Sequence, residues 1–527
     1  MIKLEQIKVK VGFDEREIKT QIAKNLNIKQ NDVENFIILK QAIDARKKPK
    51  VFYVLNLGVS LKNNLEERFS NLKYEHKTPL LNYEKINKNI KPVVVGFGPA
   101  GMFCGLALAK MGLCPIIVEQ GKSVEEREKD VQDFWQNRKL NRHSNVVFGE
   151  GGAGTFSDGK LNTNLNNEYC KIVINELARF GAPKEIAYMS KPHIGSDNLK
   201  TVVKNLRKEI ISLGGKVLFS HKLTGFETQE NKLKSVTILN LETGKEEVLQ
   251  TNALALCIGH SARDTFELLH KKNVSIKQKA FAMGVRIEQS QELINQSQYG
   301  KGYDKRLPSA DYKLALHLDN GRGVFTFCMC PGGEVVASSS DFDEVVTNGM
   351  SYFARDKQNA NSAVLVNVMP SDFGSDHPLA GVEFQRKYER LAFELGGKNF
   401  NAPFQTVGSF LGKKQFGKGK NVVSTYLPGV VETEISNCLP SFVTESLQKA
   451  LPLLNEKLKG FALDENILTA VESRSSSPVT IVRDENFTSN IKGIFPCGEG
   501  CGYAGGIVSS AQDGIKVAEA IAKTILI

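Results

Sequence analysis

No apolar stretch among the 527 residues approaches the roughly 18–20 needed to cross a bilayer. The opening Met1-Ile2-Lys3-Leu4-Glu5 also lacks the apolar core of a secretory signal. The expectation is a cytoplasmic protein without a membrane span. The nine cysteines are odd in number and lack disulfide-framework spacing, in keeping with a reducing compartment. Cys328-Met329-Cys330 has no second pair at zinc-ligand spacing, so no metal is expected. Blocks of like charge are missing too, because the net charge of +11 is spread along the chain. The densest basic run, Arg46-Lys47-Lys48-Pro49-Lys50, reads as a solvated turn before a strand, with contact to an anionic substrate or RNA as the alternative. Repeats and low-complexity tracts are absent. What is left is an ordinary globular composition, long enough for three or four domains.

Residues 1–62 read as strand, helix, strand, strand, with Asp14 capping a helix that carries Ala23 and Leu26. A polar helical stretch at 64–74 and a charged connector to Asn89 follow. Helices are expected at 123–135, 168–180 and 198–213, the last two closed by Gly181 and Gly214-Gly215. A strand pair at 216–226 and 234–240 precedes a buried strand at 253–259. From about 275 to 480, short alternating strands and long loops suggest a mixed, largely antiparallel domain. The fold class is therefore α/β. A small N-terminal α/β domain (1–88) precedes a Rossmann-like nucleotide-binding domain in two parts (89–270 and 481–527), with a mixed α+β substrate domain inserted at 271–480.

The run Val93-Val94-Val95-Gly96-Phe97-Gly98-Pro99-Ala100-Gly101 is a dinucleotide fingerprint in context. Gly96 permits a tight turn, Gly98 lets backbone N–H groups approach a pyrophosphate, and Gly101 lets the next helix pack on the sheet. Glu119, followed by Gln120, ends the next apolar segment, where a carboxylate accepts from ribose hydroxyls and repels a 2′-phosphate. The same glycine pattern recurs at 149–154 and 500–505, but without a following strand and acid.

Three separated segments, 96–119, 253–259 and 494–507, each hold a strand running out into glycine. In a doubly wound sheet such ends line one crevice. A dehydrogenase binding NAD alone has no need for a terminal strand–Gly–helix that returns to the fingerprint, whereas FAD does. Its flavin ring can be met by a second helix N-terminus at Gly505-Gly506-Ile507, whose N–H groups and dipole favour the negative charge gained on reduction. The loop 149–160 is the candidate flavin cover. Gly152, Ala153 and Gly154 allow close approach, Thr155, Ser157 and Asp158 offer polar contacts, and Lys160 brings a cation.

Cys328 and Cys330, at i and i+2 of a strand, point to one side, and Cys497 and Cys501 lie beside the closing segment. A dithiol there would make the chain a disulfide reductase; otherwise these are small apolar side chains. His143 and His260 read as structural or surface residues. Arg286 and Arg474 are candidates for holding an anionic substrate, with Arg474 alternatively bracing the loop back to the nucleotide domain.

The fingerprint, the run Asn145-Val146-Val147-Phe148-Gly149-Glu150-Gly151-Gly152-Ala153-Gly154-Thr155-Phe156-Ser157-Asp158-Gly159-Lys160-Leu161, the segment Phe327-Cys328-Met329-Cys330-Pro331-Gly332-Gly333 and the closing Pro496-Cys497-Gly498-Glu499-Gly500-Cys501-Gly502-Tyr503-Ala504-Gly505-Gly506 together resemble the uncharacterised FAD-dependent dehydrogenases of bacteria. The likeness runs over nearly the whole chain, including Ile43-Asp44-Ala45-Arg46-Lys47-Lys48. It implies FAD in a glutathione-reductase-like domain. Gly96, Phe97, Gly98, Pro99, Ala100 and Gly101 would then hold the pyrophosphate and Glu119 the adenosine ribose. Leu223, at a strand end, would lie by the adenine, Gly259 would pass close to the cofactor, and Gly498-Glu499 would meet the pyrophosphate or ribitol. The wider class usually has Asp where this chain has Glu499.

The expected function is FAD-dependent oxidation or reduction of a small molecule by hydride transfer at flavin N5, with a transient NAD(P)H or an electron-transfer partner. The alternatives are a flavoprotein that binds or modifies RNA through its basic N-terminal domain, and a non-catalytic flavin sensor.

Overall fold

The computed structural model describes residues 1–526 except 87, 89, 164, 166 and 414–421, so the connector's expected end at Asn89 lies outside the described residues. Three strands made wholly of buried apolar residues, Val93–Val95, Leu254–Leu256 and Ile494–Pro496, have the composition of a parallel sheet covered on both faces. They are neighbours in a five-stranded parallel sheet, in the order Ile494–Pro496, Leu254–Leu256, Val93–Val95, Ile116–Val118, Lys216–Leu218. Val95, Leu256 and Pro496 stand in register. The three glycine-bearing strand ends, far apart in sequence, therefore open at one edge of one sheet.

The helix Pro99–Lys110 is buried along nearly its whole length, and the last helix, Ile507–Leu526, packs against it. A Cβ on Gly514 would lie 2.2 Å from the Ala100 carbonyl oxygen, so the two backbones touch only because position 514 has no side chain.

One expectation about local structure changes. The stretch 216–226 is two strands, not one: Lys216–Leu218 belongs to the parallel sheet and His221–Gln229 opens a separate antiparallel sheet of three. The break falls at Ser220, whose backbone is left-handed (φ 55°) and whose N–H donates to Gly121 O at 3.0 Å. The helical stretch expected at 64–74 is present as a kinked 3₁₀ helix, Leu65–Leu72. Leu65, Phe69 and Leu72 are only partly covered by the N-terminal core, and a short helix without a well-buried face lacks the tertiary support it needs.

The N-terminal sheet places Phe52–Leu61 between Ile2–Lys10 and Val33–Asp44. The helix Glu15–Leu26 lies over it, and Asp14 caps that helix by accepting from Glu17 N at 2.8 Å. In the basic turn, Arg46 is paired with Asp44 at 2.7 Å. The second large sheet has seven strands, from Ala315–His317 through Gly323–Cys330, Asn359–Val368, Phe281–Ser290, Ile467–Glu472 and Ala402–Thr406 to Val430–Glu432. All its pairings are antiparallel but the last. Among the described residues no helix is long and apolar enough to cross a membrane.

Candidate functional site

The turn after Val95 is built as the fingerprint demands. Gly96 has φ +96°, and a Cβ there would lie 2.4 Å from Cys257 O; a Cβ on Gly101 would lie 1.9 Å from Gly96 O. Both positions are closed by the protein's own backbone. Gly98 differs, since its Cβ would meet nothing nearer than Gly152 Cα at 3.7 Å. Pro99 opens the helix, where its missing N–H costs nothing.

Glu119 has a larger structural task than ribose binding. Its carboxylate accepts from Phe97 N at 2.8 Å, Gly121 N at 2.9 Å and Gly149 N at 2.9 Å. A carboxylate offers about four acceptor positions, so one is left for a ribose hydroxyl. Glu119 thus ties the fingerprint turn to the glycine-rich loop, a role its spacing did not announce.

One cavity of about 360 Å³ extends from this turn over the strand ends to the second large sheet. Phe97, Gly98, Pro99, Ala100, Glu119, Gln120, Gly152, Ala153, Gly154, Lys160, Leu223, Gly259, Glu499, Gly505, Gly506 and Ile507, all expected from sequence, border it together with Gly96. Gly101, Thr155 and Gly498 do not. Thr155 is buried and donates its hydroxyl to Glu150 O at 3.2 Å. Gly498 N donates to Asp513 Oδ2 at 2.8 Å, a carboxylate gripped by Arg483 at 2.7 Å. Leu223 is the third residue of its strand rather than near its end.

Whether FAD fits is tested by the glycines. Cβ atoms added at Gly259 and Gly505 would meet no protein atom within 4 Å, and one at Gly506 would meet only Ser509 Oγ at 4.0 Å. Together with Gly98 these form a bare backbone trough along the cavity, the shape a long dinucleotide requires. Gly505 N and Gly506 N share Ser509 Oγ at 3.2 and 3.1 Å. The first-turn N–H groups of Ile507–Leu526 have no intrahelical acceptors and carry the positive end of its dipole.

The loop 149–160 is ordered by a residue that sequence reading passed over. Arg127, fully buried on the helix Val124–Asn137, donates to the carbonyls of Asn145 (2.7 Å), Glu150 (2.6 Å), Val146 (2.8 Å) and Gly152 (3.0 Å). Its guanidinium also lies 4.9 Å from the centroid of Phe156. The signal was a lone arginine among exposed charges on one helix, which composition cannot distinguish from a surface residue.

Glu150 accepts from Val124 N at 2.8 Å and meets Arg207 at 3.2 Å, while its Oε1 has no partner. Burial pushes its carboxyl up to about 7, against the pull of Val124 N–H and Arg207. A raised folded-state value means that the stabilising contribution is complete below the unfolded carboxyl value and is lost as pH rises through about 7. Glu150→Gln should remove a decline of about 3 kcal/mol or less in unfolding free energy between pH 5 and 8. Urea unfolding across that range measures it, and an unchanged slope would refute the assignment.

At the loop's end, Lys160 bonds Asp158 at 2.7 Å and also the Met329 carbonyl in the second sheet. Burial opposes ionisation of Asp158, but Lys160 and Arg355 overcome it and hold the carboxyl well below its usual range. Arg355 reaches Asp158 at 2.6 and 2.9 Å. His193 is pushed down to about 4 by burial and by Arg355, so it is neutral at physiological pH. His260, by contrast, borders the cavity with its Nδ1 3.2 Å from Glu499 Oε1. His143 lies outside the cavity lining.

Arg286 and Arg474 are not free to hold an anion. Arg286 spends its five N–H groups on Glu472, Cys328 O, Asn361 and Asn348. Arg474 spends its five on Glu389, Ser261, Ser340 and Glu344. Long-range pairing in the inserted domain supplies these acidic partners, which local sequence does not reveal. Cys497 and Cys501 are fully buried and their thiols are driven upward by that burial; they act as small apolar side chains.

The sheet topology and the trough define a dinucleotide-binding flavoprotein whose ligand cleft is roofed by a second sheet. Residues 280–475 match the family described as "FAD-dependent protein, C-terminal domain-like", and residues 1–60 match a domain of unknown function. An uncharacterized protein of Clostridium beijerinckii is 46% identical over 529 residues, 99% of this chain and 98% of that one. Among solved structures, the glycerol-3-phosphate dehydrogenase of Bacillus halodurans complexed with FAD is 11% identical with a TM-score of 0.36. The match covers 84% of this chain and 66%, just under two thirds, of that one. A flavoprotein/dehydrogenase from Cytophaga hutchinsonii is 11% identical with a TM-score of 0.37, over 83% of this chain and 79% of that one. The chain belongs to the same family as the Clostridium relative, it carries a domain of FAD-dependent proteins, and FAD is its cofactor.

Proposed function

We propose that this chain is an FAD-dependent oxidoreductase acting on a small molecule, with a hydride exchanged at flavin N5 against a substrate carbon or a transiently bound nicotinamide. The observation that carries this reading is the continuity of one cavity, from the fingerprint turn to Phe327, Cys328, Asn348 and Glu472 of the inserted domain. It offers a place for a second ligand beyond the cofactor trough. FAD, when bound, supplies the two-electron chemistry. Gly98, Pro99, Ala100 and Gly152 would receive its pyrophosphate. Glu119 and Gln120 would meet the adenosine ribose, and Leu223 the adenine. Gly259 and Glu499 would line the ribitol. The N-terminus of Ile507–Leu526 would face the flavin ring with its N–H groups, favouring negative charge there. His260, whose Nδ1 lies 3.2 Å from Glu499 Oε1, is placed to keep or pass a proton at the cofactor side of the cavity.

Two glycine substitutions test the cofactor assignment. Gly98→Val places its side chain where the protein offers only ordinary contact with Gly152, so the chain should fold yet bind FAD at least about 100-fold more weakly. Gly101→Val drives a side chain into Gly96 O, so it should impair folding itself. Flavin absorbance and fluorescence titrations, with circular dichroism for folding, read both. A purified chain that stays colourless after incubation with FAD, or Gly98→Val binding FAD normally, would end this reading. The hydride step is tested by anaerobic photoreduction of the flavin followed by a screen of acceptors; a reduced flavin that no acceptor reoxidises would count against it.

A further inference from the structure

The strand Gly323–Cys330 does not keep its alternation to the end. Phe327 pairs with Ala363 but Cys330 with Asn361, so three steps on one strand oppose two on the other. That is a β-bulge, with Cys328 in a left-handed backbone conformation (φ 43°). A bulge re-aims the side chain it carries. Simple i, i+2 alternation therefore does not hold between Cys328 and Cys330, and across the bulge the Cys330 thiol turns back onto the Cys328 backbone. Cys330 is fully buried, and its Sγ lies 3.3 Å from Cys328 O. Cys328 is half-buried and borders the cavity.

The groups around the pair are mainly cationic. Lys160 bonds the Met329 carbonyl between the two cysteines, and Arg286 donates to Cys328 O at 3.0 Å. Glu472 is the opposing acid, but it is bound to Arg286. Asp158 is paired with Lys160 and Arg355. The thiol of Cys330, followed by Lys160 and Arg286, holds Cys328 below its ordinary value against its burial. Cys257, Cys438, Cys497 and Cys501 are shifted upward instead, each first by burial, whereas Cys330 is raised first by its neighbour Cys328. Structural cysteines in apolar surroundings behave like those four, and reactive ones sit in electropositive, partly open places.

We propose that Cys328 and Cys330 form a dithiol–disulfide couple at the substrate end of the cavity, Cys328 attacking a small-molecule disulfide and Cys330 resolving the adduct. The Cys328 sulfur attacks one sulfur of R–S–S–R, forming Cys328–S–S–R and releasing RS⁻. Cys330 then passes its proton to the released RS⁻ and attacks the Cys328 sulfur, closing the Cys328–Cys330 disulfide and releasing the second RS⁻. The two protein thiols are oxidised by two electrons, and the substrate disulfide is reduced to two thiols once each RS⁻ takes a proton. Regeneration of the dithiol by reduced flavin rests on the oxidoreductase reading above; the exchange itself does not.

The test uses the full chain. Its cysteines are alkylated with iodoacetamide from pH 5 to 9 and mapped by mass spectrometry, with the half-buried Cys114 as internal control. Cys328 should react at least about tenfold faster than Cys114 at pH 6.5. Glutathione disulfide should remove two hydrogens from the peptide holding both cysteines, and dithiothreitol should restore them. Cys330→Ser should stop at a glutathione adduct on Cys328, and Cys328→Ser should give neither product. The native chain alone suffices if a variant fails to fold. Equal reactivity of Cys328 and Cys114, or a lasting glutathione adduct on the native chain, would overturn the couple. With FAD bound and oxygen excluded, photoreduced flavin should regain its absorbance on addition of glutathione disulfide in the native chain and not in Cys328→Ser. Retention of the reduced flavin in a native chain that still exchanges disulfides would remove the flavin link alone.

Discussion

Arg127→Met is expected to abolish tight FAD binding while removing no atom from the cavity lining. The substitution leaves the carbonyls of Asn145, Val146 and Gly152 without their donor in a buried place, and leaves Glu150 O with the Thr155 hydroxyl alone. Each buried unsatisfied group costs about 1–3 kcal/mol, and the loop can reduce that cost only by moving. Gly152, Ala153 and Gly154 border the cofactor trough, so its movement opens the trough. FAD affinity should fall by at least about 100-fold, and limited proteolysis should cut within 145–160, where the native chain resists. Arg127→Lys should fall between, because an ammonium cannot serve carbonyls spread around a planar fork. Native-like flavin affinity in Arg127→Met would show that the loop does not depend on this guanidinium.

Glu389→Ala should cost the fold about 3–5 kcal/mol, measured as a drop in the urea midpoint at constant slope. The carboxylate is wholly buried on the helix Ala380–Leu395. It accepts from Arg263 at 2.7 and 2.8 Å, from Arg474 at 2.9 and 3.0 Å, and from Ser473 at 2.6 Å. Arg263 begins a helix next to the nucleotide-binding sheet, whereas Arg474 follows the strand Ile467–Glu472 of the other sheet. Removing Glu389 leaves two buried guanidinium groups with Glu344 as their shared counter-ion.

The same network fixes a pH dependence opposite in sign to that of Glu150. Burial opposes ionisation of Glu389, but the two arginines prevail and hold it well below the ordinary carboxylate range. Its stabilisation is therefore present above the unfolded value of about 4.3 and is lost as pH falls through the lower folded value. Glu389→Gln should be less stable than the native chain at pH 7 and should lose less on acidification. A native chain whose stability is flat down to pH 3 would contradict this.

The nucleotide-binding half was legible because its chemistry is local. A glycine in a positive-φ turn, a glycine under a helix and an acid at the next strand end declare themselves at fixed spacing, as Gly96, Gly101 and Glu119 did. The strands Val93–Val95, Leu254–Leu256 and Ile494–Pro496 were readable as continuous apolar runs, and their shared crevice followed from the topology such runs permit. The split at Ser220 was not legible, since both halves of 216–226 have strand composition and only the two different sheets that receive them separate one from the other. Nor was the 3₁₀ form of Leu65–Leu72, which depends on how little core that segment covers.

Sequence by itself determined a backbone trough assembled from three distant strand ends, because backbone that must approach a ligand closely leaves glycine as its mark. Tertiary structure alone decided what the charged and sulfur-bearing side chains do. Arg127 became the brace of the cofactor loop, Arg286 and Arg474 were consumed by buried carboxylates, and Glu119 was largely taken up by backbone N–H groups. Cys328 was set beside Cys330 under two cations. Charge and thiol chemistry are governed by burial and by partners that the chain brings together only on folding, and no local spacing records either.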